Sequence, residues 1–167
     1  MKTVNIKPVS GTRDFLADEV ENRDRIFSKI KKVFTSFGFL GIETPALERI
    51  EILSGKYGED ENLIFKILKR GAKAGKEEAD MALRYDFTIP LARVVAEYRH
   101  KISLPFKRYQ IGPVWRADRP GQGRFREFYQ ADIDIVGVES VLADAEIILA
   151  LSEALSSLGL ADFVIKL

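Results

Sequence analysis

A chain of 167 residues with 46% hydrophobic and 31% charged composition reads as one folded domain of ordinary size, neither disordered nor fibrous. Its 26 Lys and Arg against 25 Asp and Glu argue against a basic-tail nucleic-acid binder, and leave room only for a local patch. With zero cysteines and one histidine, His100, disulfides, thiolate metal sites and multi-histidine zinc sites are excluded. No run approaches the ~20 apolar residues of a bilayer span, and Met1–Asn5 lacks an apolar signal segment, so a cytoplasmic chain without membrane contact is expected.

Ser10–Asp14 is a polar, glycine-bearing loop. Ile26, Ile30, Val33, Phe34 and Phe37 recur at helical spacing and predict a helix from about Asp18 to Phe37. Gly38 follows, where a left-handed cap favours glycine. Phe39–Glu43 reads as a short strand stopped at Pro45. Asn62–Leu68 and Asp80–Tyr85 predict a strand pair, joined by the charged, glycine-dotted and expectedly mobile segment Lys69–Ala79. Thr88 starts a helix whose stripe is Leu91, Val94, Val95 and Tyr98. Phe106–Ala117, bent at Gly112-Pro113, and Phe125–Gly137 predict two strands around an Asp118–Arg124 turn. Leu142–Leu158 is a further helix closed by Gly159, and Phe163–Leu167 a last strand. Hairpin strands with helices to one side give an α+β fold built on an antiparallel sheet. A terminal apolar strand also points to a chain cut from something longer.

The chemistry concentrates in the long hairpin. Alternation puts Gln130, Asp132 and Asp134 on one face of their strand, and Val114, Arg116 and Asp118 on one face of its partner. A sheet with one wet face accounts for that pattern by itself. The turn adds Arg116, Arg119, Arg124 and Arg126, a cluster that repels itself unless an anion sits there, and arginine forks match phosphate oxygens. Phe128 is placed to stack on a flat ring. A phosphate site beside carboxylates able to hold an ammonium suggests a nucleotide meeting an amino acid. Arg119, Arg126 and Glu127 serve equally well as turn-stabilising charges. His100 reads as a surface residue, and Tyr57-Gly58 and Lys69–Lys76 either as RNA contacts or as solvated positions, the second placing them outside the site.

Phe106–Pro120 continuing through Gly123–Gln130 resembles motif 2 of the histidyl-tRNA synthetases, and Gly38–Glu48 resembles the class II motif 1. Leu83-Arg84-Tyr85-Asp86-Phe87-Thr88-Ile89-Pro90 and Gly11-Thr12-Arg13-Asp14-Phe15 are similar to segments of the same family. The resemblance implies an α+β class II synthetase-like antiparallel sheet flanked by helices. Residues 1–167 would be the N-terminal part of such a catalytic domain, with motif 1 at about 38–48, motif 2 at about 106–137, and motif 3 and an anticodon-binding domain absent. It implies Arg116 on the α-phosphate of ATP and against the histidine carboxylate, with Asp118, Arg124 and Phe128 on the nucleotide. Asp86, Thr88, Gln130 and Asp134 would hold histidine. Mg2+ would bridge the phosphates without a protein metal site.

The implied parent makes histidyl-adenylate from histidine and ATP and charges tRNA(His), as a homodimer joined through motif 1, while this portion alone is expected to be inactive. The alternative is a non-catalytic, histidine-sensing relative, like the regulatory subunit of the first enzyme of histidine biosynthesis. An intact Arg116 and the arginine-rich turn favour the enzyme.

Overall fold

A computed structural model describes residues 4–55, 58–69 and 79–167. In chain order the elements are α1 (Ala17–Ser36), β1 (Leu40–Gly41), β2 (Leu47–Arg49), α2 (Ile50–Leu53), a 3-10 helix (Gly58–Leu63), β3 (Lys66–Leu68), β4 (Ala79–Leu83), α3 (Thr88–Glu97), β5 (Phe106–Trp115), β6 (Glu127–Val136) and α4 (Val141–Ser157). The fold is α+β, with antiparallel strand pairs flanked by helices, and no helix among the described residues is long and apolar enough to cross a membrane.

The strands form two three-stranded sheets, β1-β5-β6 and β2-β4-β3. The antiparallel, helix-flanked sheet expected from sequence is present, and one short pairing is parallel. Leu40 and Gly41 pair in parallel with Arg108 and Tyr109, which the long intervening chain makes possible as a crossover. In the other sheet β4 pairs antiparallel with both neighbours, Leu47 opposite Leu83 and Ile67 opposite Met81. Asn62 and Leu63 belong to the 3-10 helix, so the strand predicted from Asn62 is shorter. Tyr57 and most of the Lys69–Ala79 connection lie outside the described residues.

The residues divide into two compact units. The first comprises Met1–Phe15, Thr44–Arg93 and Gly112–Gln130; the second comprises Leu16–Glu43, Val94–Ile111 and Ala131–Leu167. In the first unit Leu53, Ile64, Ala82 and Tyr85 form the buried cluster, with Leu63 and Ile89 packed on it. Arg84 is buried in the same unit. Its Nε and Nη2 donate to the Pro113 carbonyl at 2.9 and 2.8 Å, and its Nη1 donates to the Thr44 carbonyl at 2.6 Å. A Cβ on Gly112 would stand 3.3 Å from Arg84 Nη2, so the glycine makes room for the guanidinium. β5 runs as one strand from Phe106 to Trp115, through Gly112-Pro113. Glu48 of β2, also buried, takes a bidentate pair from Arg93 of α3, with Arg93 Nη2 at 2.7 Å.

In the second unit α1 and α4 close on Val33, Phe34, Phe39, Ala150 and Ala154, with Tyr109, Ile133 and Ile135 from the sheet against them. Ala150 and Ala154 share one helix face at i and i+4, and their small size admits the Phe34 ring. Gly38 at φ +79° and Gly159 at φ +90° end the two helices as the sequence predicts. Lys107 Nζ donates to the Phe37 carbonyl at the end of α1 and to Glu146 of α4. Phe163–Leu167 is not a strand, since neither sheet pairs with it, and an extended backbone without a partner has no ladder to join.

Candidate functional site

All but one of the site residues expected from sequence fall in the first unit. Arg116 leaves the end of β5 with its backbone amide donating to the Arg126 carbonyl at 2.9 Å. Its guanidinium lies between two rings, 4.2 Å from the Tyr85 centroid and 5.1 Å from the Phe128 centroid. Arg116 Nε donates to the Tyr85 carbonyl at 3.3 Å, while its terminal amines have no hydrogen-bond partner among the described residues. Two aromatic faces and one carbonyl therefore orient the planar group and leave its fork available to an anion. Phe128 and Gln130 follow on one face of β6 by alternation. Gln130 Oε1 is buried without a hydrogen-bond partner among the described residues, an acceptor that costs stability until a donor reaches it.

Asp118 and Arg124 meet across the turn. Arg124 Nη2 lies 3.4 Å from Asp118 Oδ1, with 67% of the arginine side chain exposed against 13% of the aspartate. Gly123 takes φ +72°, and Gly121 pairs with Arg124 through both backbone directions at 3.1 Å, which closes the loop. Arg126 faces the other way. Its Nε donates to the Asp118 carbonyl at 3.0 Å, so the turn-stabilising option is the one the structure takes. Glu127 is likewise engaged, accepting from Trp115 Nε1 at 3.0 Å.

Asp86 stands at the start of α3. One oxygen accepts from the Thr88 amide at 3.0 Å, a helix-capping contact that the sequence reading did not anticipate. Thr88 itself is exposed and His100 is exposed, the latter as expected. Asp134 is the exception to the grouping. It belongs to the second unit, where it ion-pairs with Arg108, whose side chain is wholly buried. Among the described residues no group of three or more His, Cys, Asp or Glu could hold a metal ion.

Tyr85 and Arg84 are the residues to which the sequence assigned no role of their own. Tyr85 and Arg84 stand inside a segment it singled out, but nothing local distinguishes a ring that carries an arginine from one that fills a core.

A sequence profile described as "Histidyl-tRNA synthetase" matches residues 11–167. The chain belongs to the histidyl-tRNA synthetase family. Among its relatives, the histidine–tRNA ligase of Gloeobacter violaceus is 47% identical over 95% of this chain and 38% of its own length. That of Cytophaga hutchinsonii is 46% identical over 94% of this chain and 38% of its own. The histidyl-tRNA synthetase crystal structure from Nostoc sp. PCC 7120 superposes with a TM-score of 0.80 at 36% identity, over 96% of this chain and 36% of that one. A Bacillus halodurans structure described as an ATP phosphoribosyltransferase regulatory subunit/histidyl-tRNA synthetase gives 0.83 at 26% identity, over 97% of this chain and 40% of that one. The chain thus spans well under half the length of the relatives it matches.

Proposed function

We propose that residues 1–167 form the front part of the activation site of a histidine–tRNA ligase. In this reading the histidine carboxylate attacks the α-phosphorus of ATP, the bond to pyrophosphate breaks, and histidyl-adenylate forms. The 3′-terminal hydroxyl of tRNA(His) then attacks the histidyl carbonyl and AMP leaves. The observation that carries the reading is the Arg116 guanidinium, held between Tyr85 and Phe128 with its terminal amines unpartnered among the described residues. A fixed cation where negative charge develops is usually the largest single catalytic term.

Arg116 would bridge the α-phosphate and the histidine carboxylate. Arg124, exposed at the turn, would meet the terminal phosphates, Asp118 would hold Arg124 and lie near the nucleotide, and Phe128 would take adenine on its ring. Asp86, Thr88 and Gln130 would hold histidine, the orphaned Gln130 oxygen receiving an N–H from it. Asp134 joins that set on resemblance alone. The chain's own side chains do not compose a magnesium cage among the described residues, so Mg2+ would arrive on the nucleotide phosphates, and no step here is routed through it. A cytoplasmic homodimer through Gly38–Glu48 belongs to the same reading, as does inactivity of these residues by themselves.

Histidine-dependent ATP–pyrophosphate exchange tests it, with Arg116→Ala alongside. Exchange that falls about 100-fold or more in the variant supports the reading, and an unchanged rate removes Arg116 from the mechanism. The Bacillus halodurans neighbour favours one other reading, a histidine-sensing regulatory relative. Histidine binding with neither ATP binding nor exchange in the protein that carries these residues would select it.

A further inference from the structure

We infer that the Ser10–Phe15 loop is a positioning element for the Arg116 site and acts through Arg126, an inference that rests on the functional reading above. Arg126 is tied on two sides. Towards the loop, its backbone amide donates to the Gly11 carbonyl at 2.7 Å and its Nη1 donates to the Ser10 carbonyl at 3.4 Å. Towards the hairpin, its Nε donates to the Asp118 carbonyl and its own carbonyl receives the Arg116 amide. The loop is thereby two hydrogen bonds away from the backbone of the proposed phosphate-binding arginine.

Gly11 is built for this contact. It sits at φ +86°, a conformation that favours glycine, and a Cβ there would stand 2.8 Å from Arg126 Cγ and 2.9 Å from Pro120 Cγ. A second strut runs alongside. The Arg13 guanidinium lies 4.4 Å from the Phe15 centroid and 4.8 Å from the Phe125 centroid, so one cation spans loop and hairpin. Within the turn the Gly121 and Arg124 backbones pair, and the Arg116 amide and Arg126 Nε tie its base. The base of the hairpin is thus held from both sides, by its own strands and by Ser10, Gly11 and Arg13 far away in the chain, and the placement of Arg116 depends on both. A misplacement of about 1 Å at such a site lowers rate steeply.

In the whole protein that carries these residues, the test compares wild type with Gly11→Ala and Arg126→Lys by pyrophosphate exchange, thermal melting and hydrogen–deuterium exchange of residues 116–127 without substrates. Gly11→Ala should raise the ATP KM about 10-fold, with the histidine KM within about twofold and amide exchange at 116–127 faster, and its positive φ and close contacts should lower the melting temperature. Arg126→Lys keeps the charge but cannot reach both the Ser10 and Asp118 carbonyls, so it should fall between the two. It also carries the test alone if Gly11→Ala does not fold. An unchanged ATP KM with unchanged amide exchange overturns the inference. So does a parallel change in both KM values and the melting temperature, which marks a purely structural role. If the whole protein that carries these residues shows no pyrophosphate exchange, the functional reading falls, and amide exchange still decides the anchor. Faster exchange at 116–127 in the variants upholds it, and unchanged exchange overturns it.

Discussion

Arg116 rests its guanidinium 4.2 Å from the ring of Tyr85 and donates its Nε to the same residue's carbonyl. One residue thus supplies both a face and an acceptor, which fixes the plane of the fork as well as its position. A lysine retains the charge but has neither a planar face nor an Nε. Arg116→Lys is expected to lose at least about 10-fold in histidine-dependent pyrophosphate exchange although the charge is conserved. Recovery to wild-type rate would mean that charge alone suffices.

Asp86 accepts from the Thr88 amide at the start of α3, and a conservative substitution separates that contact from the histidine-binding role proposed for it. Asp86→Asn keeps an oxygen to accept from the Thr88 amide, so the melting temperature should hold, while histidine affinity falls through loss of the carboxylate charge. Asp86→Ala removes both, and should cost about 1 kcal/mol of stability in addition. Calorimetric titration with histidine, together with a melt, reads the two effects separately. Equal affinities for Asp86→Asn and wild type would leave Asp86 as a helix cap only.

The pairing of Asp134 with a wholly buried Arg108 has a stability consequence. Asp134→Asn removes a carboxylate charge from beside a wholly buried guanidinium and should cost about 3–5 kcal/mol in chemical denaturation. Replacing both with apolar residues, Arg108→Met with Asp134→Leu, should return most of that. A single variant as stable as wild type would show that other groups neutralise Arg108.

Arg84 joins separate chain segments through the Pro113 and Thr44 carbonyls from a buried position. Arg84→Met keeps volume and leaves those carbonyls short of a donor, at a cost of about 2–4 kcal/mol. Urea unfolding measures the loss. A change below about 0.5 kcal/mol would mean that neighbouring amides or water take over the carbonyls.

Much of this protein was already legible in its sequence. The α1 stripe of Ile30, Val33 and Phe34, the glycines at both helix ends and the Gly121–Gly123 turn are local signals, and each was recovered because spacing and backbone conformation depend on near neighbours. The family was equally legible, because its motifs are runs of consecutive residues. What tertiary structure alone decided is the use of each charge. Arg84, Arg116, Arg124 and Arg126 look alike in sequence. Yet Arg84 is buried on carbonyls, Arg126 bridges the N-terminal loop, Arg124 is exposed beside Asp118, and Arg116 sits over the Tyr85 and Phe128 rings with its Nε on the Tyr85 carbonyl. Alternation along a strand says which face a side chain occupies. Its partner comes from residues distant in the chain, and folding brings them there. The same reasoning explains the failure at Phe163–Leu167, where an apolar run specifies a willingness to pair but no local pattern supplies the strand to pair with.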